Sequence, residues 1–146
     1  MKIVTSTVRA VVVATLLGGS MLAGTGSAHA EFQCVMDFMP VRPFVGVGTV
    51  NGSAWASCDR PPEQHEMRLG LDFREGGQWQ GVRLISDHRI PGTSRMAYGV
   101  KVDQCRPGYW RIEAEVVGTM QGHPFDYRKF SMAKSVTAEE CARGGR

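Results

Sequence analysis

The sequence predicts an all-β domain: an immunoglobulin-like antiparallel β-sandwich of about seven strands with two disulfides, a small β-barrel being the alternative. Three observations point there. Short segments alternate apolar and polar residues with period two between Gly- and Pro-containing turns. No segment carries a helical period of useful length. Four cysteines, Cys34, Cys58, Cys105 and Cys141, follow a segment with the features of an export leader.

The leader occupies residues 1–30. Lys2 and Arg9 supply its positive start, Ala10–Ala23 its apolar centre, and Ala28-His29-Ala30 the small residues read by a signal peptidase, so cleavage is expected before Glu31. The apolar centre is broken by glycines and falls short of the ~20 residues that span a bilayer, which argues against a membrane anchor. No Cys stands at the cleavage point for lipidation, and no twin arginine precedes it. The expectation is a secreted or envelope-associated protein with one domain over residues 31–141 and a C-terminal tail over 142–146. The full chain holds 17 Lys+Arg and 14 Asp+Glu. Two of the bases leave with the leader, and a near-neutral domain has no electrostatic footprint for nucleic acid.

Along the domain, Phe32–Phe38 reads as a first strand closed by Pro40 and Pro43. Gly46–Cys58 reads as a second, with Val45 and Val47 on one parity and Val50, Ala54 and Ala56 on the other. A bulge near Gly48–Gly52 would reconcile them. Glu66–Glu75 alternates cleanly, with Met67, Leu69, Leu71 and Phe73 inward and Arg68, Asp72 and Arg74 toward water. Gly76-Gly77 then signals a hairpin into Gln78–Ser86. In Arg95–Asp103 the inward row is Met96, Tyr98, Val100 and Val102; in Tyr109–Val117 it is Trp110, Ile112, Ala114 and Val116. Phe125–Met132 changes parity midway. Thr137-Ala-Glu-Glu140 has the spacing of a capping box and predicts a single helical turn.

An even cysteine count in an exported chain reads as disulfides, and the wide spacings do not suit a zinc site. If the first two strands pair antiparallel, Cys34 lies beside Cys58. The same argument for the last two favours Cys105 with Cys141.

Catalytic chemistry is not evident. His65, His88 and His123 lack metal-ligand spacing and read as exposed loop residues. Asp87-His88-Arg89 has no nucleophile elbow beside it. Glu113 and Glu115 share a face with Arg111, which would offset their charge, and a solvated outer face explains them better than a glycosidase pair. No cofactor or metal is implied. Trp110 reads as core from its parity, whereas Trp79 and Tyr109 are the aromatics best placed to form a binding surface.

The leader, the four cysteines and the stretch Cys105-Arg-Pro-Gly-Tyr-Trp-Arg111 through Gly122 to Ser131 resemble the small exported β-domain proteins of actinobacteria, including mycobacteria. That resemblance implies a sandwich, an extracellular address and no catalytic residues. Gly118, Gln121-Gly122, Tyr127 and Phe130-Ser131 resemble the last hairpin of the Streptomyces subtilisin inhibitor family. In that family the reactive bond follows the second residue after the hairpin's first cysteine, which here is Pro107. The family's helices and closely spaced first cysteine pair have no counterpart. The expected function is a non-enzymatic binding module whose partner is a protein or envelope component, with protease inhibition as the alternative.

Overall fold

The computed structural model describes residues 33–145, so the leader and its cleavage site lie outside the described residues. The fold is all-β, in two antiparallel sheets with two disulfides. Its strands are β1 (Cys34–Phe38), β2 (Phe44–Gly46), β3 (Thr49–Cys58), β4 (Gln64–Glu75), β5 (Gln78–Asp87), β6 (Met96–Val102), β7 (Gly108–Met120), β8 (His123–Phe130) and β9 (Lys134–Val136), followed by helix α1 (Ala138–Arg143).

In the first sheet β3 is central. It pairs with β6 on one side and, end to end, with β1 and β2 on the other. The second sheet runs β5-β4-β7, with β8 and β9 sharing the far side of β7. Among the described residues nine strands thus fill seven positions, because one edge of each sheet is interrupted once.

The parity change between Val47 and Val50 marks a turn, not a bulge. Val47-Gly48 joins β2 to β3, Gly48 adopts φ +69°, and β3 then alternates without a break. The bulge lies instead in β5. Leu71 faces Arg83 while Asp72 faces Gly81, which leaves Val82 as the extra residue. At the β4–β5 turn both Gly76 and Gly77 have positive φ, the geometry a two-residue hairpin with right-handed twist requires.

The inward rows of both sheets form one core. Met67, Leu69, Leu71, Trp110, Ile112, Ala114 and Val116 are fully buried, facing Val50, Ala54, Ala56, Tyr98 and Val100. The sheets approach closely where the facing residue is glycine: a Cβ on Gly52 would stand 3.0 Å from Ile112 Cγ1. The parity change in the last long strand is also resolved. Phe125 and Tyr127 pack against the core, β8 ends at Phe130, and Phe130 and Met132 are exposed.

Cys34 bonds Cys58 across directly paired positions of β1 and β3, with the Cα atoms 4.0 Å apart. Cys105 bonds Cys141 at 5.4 Å, but Cys141 lies on α1 and not on a strand partner. The helix starts at the expected capping box, in which Thr137 Oγ1 accepts from Glu140 N–H and the Glu140 carboxylate accepts from Thr137 N–H. Residues 142–145 do not form a free tail: α1 runs to Arg143, and Gly145 N–H donates to Val45 O at 2.9 Å.

None of the residues of α1 is buried, so its attachment depends on the disulfide, the ion pair of Glu140 with Lys134 at 2.9 Å and a few backbone bonds, among them Gly48 N–H to Cys141 O at 2.8 Å. Replacing Cys105 and Cys141 together by Ser is expected to cost about 3 kcal/mol in urea unfolding. Amide exchange should rise first over residues 137–145, with the β7 amides still protected.

Candidate binding face

The outward faces of β4, β5, β7 and β8 form one face of the second sheet. Register sets its rows. Asp72 of β4 stands directly opposite Arg111 of β7, Arg68 opposite Glu115, and Glu115 opposite Arg128 of β8. One end carries a ladder of alternating charge. Arg68 donates to Glu66 and Glu115 at 3.0 Å, and Arg128 reaches Glu115 at 2.8 Å and Glu113 at 3.3 Å. These charge-assisted bonds hold the Glu66 and Glu115 carboxyls below the usual range and raise both guanidinium pKa values. Arg111 therefore does not offset Glu113 and Glu115, as the alternation alone had suggested. Arg68 and Arg128 do.

Arg111 instead organises the other end. Its Nε donates to Asp72 Oδ2 at 2.8 Å, and the Asp72 side chain is only 5% exposed. The expected wet side of β4 is thus dry at Asp72, where a buried carboxylate requires a cation. With Nε committed to Asp72, the guanidinium carbon lies over two rings, 4.5 Å from the Trp79 centroid and 3.9 Å from the Phe130 centroid. Leu84 is on the same face at 63% exposure and leans over Gly70, which offers no side chain.

Trp79 and Tyr109 both belong to this surface. Trp79 faces Arg74 on the outward row and is half-buried by its cationic neighbours. Tyr109 precedes Arg111 by two on β7, so it shares the outward row, and it is exposed. Sequence reasoning did not include Arg111, Phe130, Asp72 and Leu84. Alternation showed that Arg111 points outward but not which neighbours it meets, because that depends on the register of three strands. Leu84 reaches the outward face only through the Val82 bulge.

The loop of the alternative inhibitor reading is tied down. Trp110 Nε1–H donates to Arg106 O at 2.9 Å, and the Arg106 guanidinium covers Phe73 at 4.2 Å. The histidines are dispersed. His88 and His123 are exposed, as expected, but His65 is buried to 4%, because β4 begins at Gln64 and gives His65 the inward parity. Its ring stacks on Tyr98 with centroids 6.1 Å apart, and neither ring nitrogen makes a well-formed hydrogen bond. Burial lowers its pKa, outweighing the opposing pull of the nearby Arg89 backbone and Asp87. Among the described residues no group of three or more His, Cys, Asp or Glu could hold a metal ion, and no helix is long and apolar enough to cross a membrane. No protein-family model, curated protein or solved structure matches the chain.

Two expectations follow. Arg111→Met strands the Asp72 carboxylate and should cost about 2 kcal/mol in urea unfolding, part of which Asp72→Asn in the same chain restores. Acid stability should depend on His65. Its folded-state pKa lies below the ordinary 6.5, so its effect is absent above that pH. As the pH falls below 6.5, the unfolded chain takes up a proton that the folded chain refuses, and stability declines. His65→Phe should flatten the urea midpoint between about pH 6.5 and 5, leaving only the carboxylate-driven loss at lower pH.

Proposed function

We propose that this protein is a secreted, non-enzymatic binding module of immunoglobulin-like architecture. It engages an envelope component or extracellular protein through the Trp79–Arg111–Phe130 face. The observation that carries this reading is the stack itself: a guanidinium fixed by a buried carboxylate and flanked by two rings at a partly exposed surface. Such a group presents aromatic area and positive charge with little side-chain entropy left to lose on binding, which is the condition for a strong contact. The order β1-β3-β6 against β5-β4-β7-β8 supports an immunoglobulin-like assignment. Two disulfides suit an oxidising compartment and support export. The dispersed histidines and the bridged glutamates support a role without catalysis.

The test is co-sedimentation of the exported, oxidised protein with isolated envelope material. Trp79→Ala and Phe130→Ala should each weaken binding about tenfold. Trp55→Ala should not, although Trp55 carries a similar cation–π contact with Arg95 at 4.1 Å on the other sheet. Equal binding by all three variants would remove the assignment of this face.

A further inference from the structure

The two lateral sides of the domain are finished differently. On the β1–β8 side, Lys129 Nζ donates to Met36 O at 3.0 Å and Met132 N–H donates to Val41 O at 3.0 Å, so side chain and loop bridge the sheets. The β8 edge also carries Pro124, Asp126, Arg128 and Lys129, the residue types that discourage strand addition. On the β5–β6 side, a cleft lined by Val82, Arg83 and Ile85 of β5 and Val100 and Lys101 of β6 separates the sheets. β5 is ten residues long, pairs only with β4, and has neither proline nor any charge but Arg83 before its final Asp87. Val82 and Leu84 are exposed on it. The bulge at Val82 and the inward-row Arg83 are the edge's only features that oppose strand addition, and its length and composition otherwise make it a template for another strand.

The partner is specified by the strand's own pattern. The bulge at Val82 shifts parity, so Trp79, Gly81, Leu84 and Ser86 are outward while Gln78, Gln80, Arg83 and Ile85 take the inward row. In antiparallel self-pairing, residues on the same face must meet. An unbulged strand would put Trp79 and Leu84 on opposite faces. The bulged one lets Trp79 of one copy meet Leu84 of the other, Gln80 meet Arg83, and Gln78 meet Ile85, these three pairs face-matched and no like charges opposed, with Gly81 and the bulge residue Val82 meeting at the centre.

We propose that two copies of this chain associate by antiparallel pairing of β5 with β5 about a two-fold axis near Gly81 and Val82. The second sheets of the two copies become one continuous sheet, and the axis perpendicular to it puts both Trp79–Arg111–Phe130 stacks on the same side. The dimer presents two binding faces in one plane. This assembly does not depend on the identity of the ligand.

Sedimentation velocity of the exported protein across micromolar concentrations tests it. Wild type should show a concentration-dependent monomer–dimer equilibrium. Gln80 is exposed and off the aromatic face, so charge there probes the register alone. Gln80→Glu places a carboxylate opposite Arg83 twice per dimer and should tighten the dimer, whereas Gln80→Lys should weaken it, each by roughly two- to thirtyfold. Leu84→Lys, at an exposed position, should yield monomer with an unchanged circular dichroism spectrum. A monomer at every concentration, or a dimer indifferent to the sign of charge at position 80, overturns the proposal. A monomer that still binds envelope material through Trp79 overturns the dimer while leaving the binding face standing.

Discussion

Removing Trp110, Ile112, Ala114 and Val116 from water fixes the orientation of β7, and the rest of the domain is arranged around that strand. β7 pairs with β4 on one side and with β8 and β9 on the other, so its inward row determines which residues of four strands face the core. At roughly 1.5–3 kcal/mol for each large apolar side chain, a one-residue slip of β7 would cost an amount comparable to the stability of a whole domain, and would turn Arg111, Glu113 and Glu115 toward the core besides. Its outward row, Tyr109, Arg111, Glu113 and Glu115, is held with the same rigidity. The candidate face is the reverse side of the core.

Core and face differ in how far they could be read from the sequence. The inward rows of β4, β6 and β7 are visible as alternation because one strand's own residues carry the signal. Both cysteine pairings were reached from strand order, although Cys141 arrived at its partner on a helix. The parity breaks were harder. Val47-Gly48 and Val82 look alike as disturbances of period two, yet one is a hairpin turn and the other a true bulge, and only pairing distinguishes them. His65 escapes the pattern because its strand starts two residues before the clear alternation does. Alternation alone sets Arg111 against the wrong acids, since cross-strand neighbours depend on registers that no single segment encodes.

Charge on the outer face is partitioned accordingly. Glu66, Arg68, Glu115, Arg128 and Glu113 satisfy one another, and such exposed pairs contribute little to stability. Asp72 and Arg111 are different, because Asp72 is enclosed and has to be answered. Meeting that requirement with an arginine, and not a lysine, leaves a flat cationic surface for Trp79 and Phe130 to cover. A structural necessity on β4 thereby produces the feature on which recognition is proposed.

The cross-links at Cys34 and Cys141 stand near the two ends of the folded segment. Exopeptidases digest a chain inward from its termini. Here such digestion soon reaches a covalent knot at either end, before any strand of the second sheet is touched.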